Sequence, residues 1–153
     1  ANGGLLLRPY LVKKIEDSDG KVIREFFPKI IKNIDIDPDI LKHLKEGLRG
    51  VVNEPRGTGY KARLKNIVVS GKTGTAQVVS MGPEEINPDD EIPYLFRDHA
   101  WFIAFAPYDK PEVAVSVIVE HGGHGGAVAA PIAGKIMETY FTHYPPFNAK
   151  QTS

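Results

Sequence analysis

The segment Ser70–Gln77 constrains the fold of this chain more than any other, because it places two glycines and a lysine inside a β-favouring run. Ile67–Val69 precede it and Val78–Val79 follow it, so the flanking β-branched residues predict one extended strand over 67–79. Glycines weaken a strand and are tolerated where another backbone or a ligand comes close. We therefore predict that this strand forms a ligand-binding edge.

Alternation along the strand separates its polar side chains, since successive residues point to opposite faces of a sheet. Lys72 points to one face, and Thr73 and Thr75 point to the other. If the edge lines a cleft, the ammonium enters a catalytic interior while the two hydroxyls meet a carboxylate-bearing ligand. Gly74 leaves space for that ligand because it has no side chain. The pattern thus predicts a catalytic side and a binding side.

Lys72-Thr73-Gly74-Thr75 resembles the Lys-Thr-Gly box of penicillin-binding proteins and serine β-lactamases. Three more stretches follow it in the order expected for that family: His99–Pro107, Glu120–Gly126 and Ala129–Gly134. Together they resemble the C-terminal part of the transpeptidase domain of a class B penicillin-binding protein. The likeness is greatest to the elongation-type peptidoglycan D,D-transpeptidases that maintain rod shape, and it extends over residues 1–140.

This resemblance implies an α+β fold, the C-terminal portion of the β-lactamase/transpeptidase-like fold, with an antiparallel sheet packed with helices. Residues 1–144 would form that part of the domain and residues 145–153 a loose tail. In this family the nucleophile lies in a Ser-x-x-Lys box and a second box reads Ser-x-Asn, both upstream of the Lys-Thr-Gly strand. We expect both boxes to lie outside this chain, which would then be a fragment that is inactive alone.

The resemblance also implies a role for each residue of the strand. Lys72 would lie beside the serine of the Ser-x-Asn box and help proton transfer to the leaving amine. The backbone N–H of Thr75 would be one oxyanion donor. The hydroxyls of Thr73 and Thr75, next to Gly74, would hold the carboxylate of a penicillin or of the D-Ala-D-Ala end of a peptidoglycan stem peptide. No metal or cofactor is implied.

The implied partners are the missing N-terminal half of the domain, stem peptides and β-lactams, and in the full-length protein a membrane glycosyltransferase and the elongation machinery. That protein would be anchored in the inner membrane with this domain in the periplasm, and the fragment itself would be soluble. Lys plus Arg and Asp plus Glu number 19 each, which argues against nucleic-acid binding. The absence of cysteine excludes disulfides and thiol catalysis.

Two alternatives remain open from the sequence. The first is a non-catalytic, penicillin-binding-protein-like scaffold that keeps the strand and acts through protein partners. The second is a β-lactamase or D,D-carboxypeptidase of the same fold, which shares every motif present here.

The first third of the chain predicts a hairpin and a helix. A hairpin is predicted over Leu5–Phe27, in which the turn Asp17–Gly20 separates two β-favouring runs, and Pro28–Asp37 is expected to be a connector. Asp37 predicts the N-cap of a helix that begins at Pro38. Its apolar stripe comprises Leu41, Leu44, Leu48 and Val52. After it, Gly57–Gly59 is interpreted as a turn rather than as a phosphate-binding loop.

The second half predicts a long loop and two strands. Ser80–Asp98 is expected to form a mobile rim of the cleft. Ala100–Ala106 and Glu112–Glu120 are expected to be strands, the latter in the middle of the sheet with cover on both faces, because its apolar residues are continuous. Trp101 and Phe102 are expected to be core aromatics.

The C-terminal part predicts a glycine turn and a helix. His121 and His124 lie three residues apart among glycines, which is a poor zinc site and is more typical of a sharp turn into a helix. The helix should run from Ala127 or Pro131 to about Phe141. The face expected to pack on the sheet comprises Val128, Ile132, Ile136 and Tyr140.

Overall fold

The computed structural model describes residues 1–78 and 92–146. The chain divides into two compact units, Ala1–Leu41 and Lys42–Ser153. Antiparallel strand pairs and two helices occur in the described ranges, which confirms the α+β class. Most of the predicted rim at 80–98, and all but two residues of the predicted tail at 145–153, lie outside the described residues. The division into a domain at 1–144 and a tail stays a prediction.

The first unit is built from two antiparallel strand pairs. Its strands are β1 (Leu5–Arg8), β2 (Lys14–Glu16), β3 (Val22–Glu25) and β4 (Lys29–Asn33), of which β1 pairs with β4 and β2 with β3. The predicted hairpin is therefore confirmed for β2 and β3, although both strands are shorter than expected. Its predicted beginning at Leu5 is wrong, because Leu5–Arg8 is β1 and pairs with β4 instead. The prediction of a connector at Pro28–Asp37 is wrong, because β4 occupies half of it. Its pairing with β1 is a contact between distant segments that local composition does not indicate.

The hairpin turn is held by one carboxylate. Asp17 Oδ1 accepts the backbone N–H groups of Asp19 and Lys21 at 3.0 and 2.9 Å. Gly20 has φ 79°, in the left-handed region that glycine adopts without strain. The Asp-Gly signal in the sequence thus marks the turn correctly.

The first helix, α1, spans Pro38–Asn53 and begins as predicted. Asp37 Oδ1 accepts the N–H groups of Asp39 and Ile40 at 2.8 and 3.4 Å, which satisfies donors that have no partner inside the helix. The predicted apolar stripe is buried mainly at its end. Val52 is fully buried, whereas Leu44 is 56% exposed.

The second unit contains a three-stranded antiparallel sheet of β5 (Ser70–Ala76), β6 (His99–Ala106) and β7 (Val113–Val119), in the order β5-β6-β7. The strand predicted over 67–79 is thus confirmed in its centre and is shorter than expected. Its position at an edge is confirmed among the described residues. The prediction that β7 lies mid-sheet is wrong for those residues, since β6 is the central strand. The apolar residues of β7 are continuous although only one of its faces is buried or half-buried and the other is exposed. They do not indicate a neighbouring strand on each side of β7.

The second helix, α2 (Ala129–His143), packs on one face of this sheet and on the short 3-10 turn Tyr60–Ala62. The predicted packing face is wrong at Ile132 and Ile136, which are 42% and 47% exposed, whereas Val128 and Tyr140 are partly buried against the core. The buried face of α2 instead comprises small residues and two larger ones: Ala129, Ala130, Ala133, Gly134, Met137 and Phe141. Small side chains are favoured on the buried face because the helix backbone lies close to the 3-10 turn. A Cβ on Gly134 would be 3.0 Å from Ala62 Cα.

The two faces of the sheet differ. Phe102 is fully buried beneath α2 with Ala100 and Ala104, as expected for a core aromatic. Trp101 points to the opposite face and is 38% exposed, so the prediction that it is a core residue is wrong. Ile103 and Ile118 on that face are 52% and 46% exposed. The sheet thus has one packed face and one largely open apolar face.

Candidate active site

The open face of the sheet contains Lys72. In the β5–β6 register Lys72 is opposite Ile103 and Gly74 is opposite Trp101. Directly opposed residues of antiparallel strands share a face, so Lys72 lies on the face with the exposed aromatic and aliphatic side chains. Its Nζ donates a hydrogen bond to the carbonyl of Thr73 at 2.7 Å. The ammonium therefore lies over the edge strand itself, exposed to solvent.

Thr73 and Thr75 point to the other face, where they line a pocket of about 500 Å³. The pocket lies between β5, the turn that precedes the 3-10 segment, and the residues that lead into α2. Its full lining is Thr58, Tyr60, Lys61, Thr73, Thr75, His124, Gly125, Gly126 and Ala127. The structure thus brings the two predicted hydroxyls together in one cavity. Lys72 does not line it, as strand alternation predicts. Gly74, predicted to bind substrate beside the two threonines, does not line it either, because it lies on the Lys72 face of the strand.

Thr58 is a pocket residue that the sequence analysis missed. Its Oγ1 lies 2.9 Å from Oγ1 of Thr73, within hydrogen-bond distance. The turn around it is fixed, because the N–H of Gly59 donates to the carbonyl of Val51 at 2.9 Å and a Cβ on Gly59 would be 2.8 Å from the Phe102 ring. The Gly-Thr-Gly sequence was visible, but nothing local indicated that its hydroxyl meets the edge strand.

The glycines before α2 permit close backbone packing against this strand. A Cβ on Gly125 would overlap the carbonyl oxygens of Trp101 and Gly74, and one on Gly126 would overlap the carbonyl oxygen of Thr58. Gly123 has φ 75° in the same turn. The predicted sharp glycine turn between β7 and α2 is therefore confirmed. It also forms one wall of the pocket.

The two histidines near this turn make different contacts. The N–H of His121 donates to Nδ1 of His99 at 2.9 Å, so His99 in its neutral form carries its proton on Nε2. His121 Nδ1 lies 3.2 Å from the Arg97 carbonyl, whereas His124 lines the pocket. Across residues 1–78 and 92–146, no group of three or more His, Cys, Asp or Glu side chains is arranged to hold a metal ion.

One serine of this chain does have a lysine three residues later. The expectation that the Ser-x-x-Lys box lies outside the chain did not take this match into account. Ser18 and Lys21 have the spacing of a Ser-x-x-Lys box. They lie in the β2–β3 turn, where Gly20 has positive φ. Residues three apart share a face on a helix, but this segment is not helical. The two residues thus match the box in sequence spacing only, because the turn does not place the lysine beside the serine.

The charge of the pocket comes from Lys61 and, when protonated, His124. Among the described residues that line the pocket, none has a carboxylate. Lys61 is exposed, and its ammonium forms no hydrogen bond or ion pair with any other residue of the described ranges. Four hydroxyl-bearing side chains accompany it: Thr58, Tyr60, Thr73 and Thr75. Such a pocket is suited to an anionic group that accepts several hydrogen bonds.

An antiparallel sheet with a Lys-Thr-Gly edge strand beside a hydroxyl-lined pocket is the arrangement that the sequence resemblance implies. The family described as the penicillin binding protein transpeptidase domain matches residues 1–138. The chain belongs to this family.

Curated relatives agree with this assignment. The peptidoglycan D,D-transpeptidase MrdA of Haemophilus influenzae is 38% identical over 148 residues, which cover 95% of this chain and 22% of that protein. Stage V sporulation protein D of Bacillus subtilis is 39% identical over 142 residues, 89% of this chain and 20% of that protein. The chain therefore spans about a fifth of the length of these relatives.

Solved structures show the same fold. The D,D-transpeptidase domain of a peptidoglycan glycosyltransferase from Eggerthella lenta matches 95% of this chain and 30% of its own, at 26% identity and a TM-score of 0.72. Penicillin-binding protein A of Mycobacterium tuberculosis, as a ceftriaxone acyl-enzyme, matches 90% of this chain and 28% of its own, at 32% identity and a TM-score of 0.68. Among the described residues, neither helix is long and apolar enough to cross a membrane.

Proposed function

We propose that the protein containing this chain is an elongation-type peptidoglycan D,D-transpeptidase, which cross-links stem peptides by serine acyl transfer and is acylated by β-lactams. The observation that supports this most is the edge strand β5, with Lys72 on one face and the Thr73 and Thr75 pocket on the other. The names of the MrdA relatives and the acyl-enzyme of the M. tuberculosis protein support the same reaction class.

In the proposed reaction a serine hydroxyl attacks the carbonyl of the penultimate D-Ala, and the peptide bond to the terminal D-Ala breaks. The departing amine takes up a proton, and an amine of a second stem peptide then displaces the serine from the ester. When the terminal D-Ala leaves, the positive charge of the Lys72 ammonium assists proton transfer to the leaving amine. Its exposed position, with one hydrogen bond to its own strand, leaves it accessible for that role.

The backbone N–H of Thr75 is the proposed oxyanion donor. In an antiparallel strand, residues two apart direct their N–H and C=O groups to the same side. The Thr73 carbonyl accepts the Lys72 ammonium, and β5 has no strand on its outer side among the described residues. Both observations support a free Thr75 N–H at the outer edge. Loss of one such donor typically costs about 10²- to 10³-fold in rate.

The hydroxyls of Thr73 and Thr75 are the proposed holders of the substrate carboxylate, with Gly74 between them leaving the strand unobstructed. An extended peptide can add to such an edge as a further strand and gain main-chain hydrogen bonds. The terminal carboxylate of a stem peptide and the carboxylate of a penicillin present the same chemistry to these hydroxyls. This shared recognition is the reason that a β-lactam replaces the natural substrate.

The remainder of the protein is proposed to supply the serine. Trp101, Ile103 and Ile118 leave the Lys72 face of the sheet apolar and open, and the relatives are four to five times longer than this chain. We infer that the part with the Ser-x-x-Lys and Ser-x-Asn boxes packs on that face and places its serine beside Lys72. The same proposal anchors the full-length protein in the inner membrane, with this domain in the periplasm. Its proposed partners are a membrane glycosyltransferase and the elongation machinery.

Intact-mass measurement after incubation with benzylpenicillin tests this function. We expect a covalent adduct on the full-length protein and none on the 153-residue chain alone. An adduct on the short chain would mean that the nucleophile lies within it. No adduct on either would exclude the transpeptidase and favour a non-catalytic scaffold. Release of the adduct within seconds would instead indicate a β-lactamase.

A further inference from the structure

We infer that Lys61, which lies outside the Lys-Thr-Gly strand, is a specificity-determining residue that pairs with the carboxylate held by Thr73 and Thr75. The inference rests on the proposed function and adds a cation to the pocket that the strand itself does not provide. It concerns discrimination between charged and uncharged ligands rather than the acyl-transfer step.

The position of Lys61 follows from packing around the short 3-10 turn. Ala62 is fully buried against α2, where the backbone of Gly134 approaches it closely. This contact fixes the turn, and Lys61 next to it remains exposed and lines the cavity with both threonines. The side chain is long, but its base is anchored on a rigid element.

The charges around the pocket favour an anion over a neutral or cationic group. Lys72 lies on the opposite face of β5 and does not line the cavity. Lys61 is therefore the lysine available to a carboxylate bound at the hydroxyls, and its ammonium has no other partner among the described residues. A carboxylate accepts hydrogen bonds from both an ammonium and hydroxyls, and charged pairs of this kind are stronger than neutral ones.

The contact between Thr58 and Thr73 supports the same ligand. With two hydroxyls 2.9 Å apart, one donates to the other, and the accepting hydroxyl keeps its own proton for a further acceptor. The pair thus presents at least one donor in addition to Thr75. A pocket with several donors, a cation and no carboxylate among its described lining residues matches a carboxylate better than an amide or an ester.

The test compares benzylpenicillin with its methyl ester on the full-length protein. The second-order acylation rate constant is measured for the wild type and for Lys61→Met, Lys61→Arg and Lys65→Met. We expect Lys61→Met to slow acylation by the free acid about 3- to 10-fold, between the effect of an exposed ion pair and that of a charged hydrogen bond, and to leave the ester unchanged. Lys61→Arg should retain most of the wild-type rate.

Lys65→Met is the matched control, because Lys65 is an exposed lysine four residues away that does not line this pocket. Its two rate constants should equal those of the wild type. If Lys61→Met leaves the acylation rate constants of both ligands unchanged, or lowers both by the same factor, the inference is wrong while the proposed function stands. If the wild type is acylated by neither ligand, the proposed function itself fails. Added salt should slow acylation of the wild type by the free acid more than that of Lys61→Met.

Discussion

Thr58 Oγ1 and Thr73 Oγ1 lie 2.9 Å apart, so that the turn after α1 contacts the Lys-Thr-Gly strand through two hydroxyls. The contact orients the Thr73 side chain at the pocket. It also ties the strand to a turn that is fixed by the buried Gly59. The arrangement suggests that residues outside the Lys-Thr-Gly motif set the geometry of the binding side.

Removal of the Thr58 hydroxyl should weaken ligand binding. We expect Thr58→Val to lower benzylpenicillin acylation of the full-length protein about 3- to 10-fold, because the Thr73 hydroxyl loses a partner worth about 0.5–1.5 kcal/mol. Thr58→Ser should restore most of the rate. Thr139→Val, which removes a hydroxyl bonded to the Lys135 carbonyl on α2, is the control and should have no effect. Equal losses in Thr58→Val and Thr58→Ser would contradict this role.

Lys72 should affect chemistry and not stability. We expect Lys72→Ala to slow acylation by about 10²-fold or more, since the proposed reaction loses its positive field and proton relay. The melting temperature should change little because the side chain is exposed and bonds only to the Thr73 carbonyl. Lys110→Ala, in the turn between β6 and β7, is the control. An unchanged acylation rate in Lys72→Ala would remove Lys72 from the site.

Gly125 should tolerate no side chain. Its Cβ position overlaps two backbone carbonyl oxygens, which cannot move without disturbing the β5–β6 ladder. We expect Gly125→Ala to lower the free energy of unfolding by about 1–3 kcal/mol and to slow acylation. Gly47→Ala in α1 has open space around the new Cβ and should stabilise the protein by about 0.5–1 kcal/mol. Equal thermal shifts for the two variants would refute this account of the glycine turn.

The packing face of α2 can be tested by two truncations. Met137 is fully buried and Ile136, its neighbour, is 47% exposed. We expect Met137→Ala to cost about 2–5 kcal/mol of unfolding free energy in urea titration, whereas Ile136→Ala should cost less than about 1 kcal/mol. A larger loss in Ile136→Ala would show that a further part of the protein covers that face.

Ser18 should not be the nucleophile. The residue is exposed in a hairpin turn, and Lys21 is not placed beside it by a helix. We expect Ser18→Ala in the full-length protein to keep its benzylpenicillin acylation rate within about twofold, as for other exposed substitutions. Peptide mapping of the adduct gives an independent reading. An adduct on the peptide containing Ser18 would overturn the expectation.

Local signals predicted the features whose causes are local. The Asp17–Gly20 turn, the Asp37 cap and the strand character of Ser70–Ala76 follow from side chains acting on their own neighbouring backbone. The division of Lys72 from Thr73 and Thr75 follows from strand alternation alone. The motif order also indicated the family, because it depends on residue identity and spacing rather than on contacts.

Only the tertiary structure decided what distant segments do to one another. The pairing of β4 with β1, the edge position of β7 and the exposed side of Trp101 depend on which elements lie nearby. The predicted packing face of α2 is wrong at Ile132 and Ile136, because close approach to Ala62 selects small residues for the buried face. Backbone packing also places three residues from other segments next to β5 in the pocket: Thr58, Lys61 and Gly125. Sequence determined which residues the edge strand offers, and packing decided which others stand beside them.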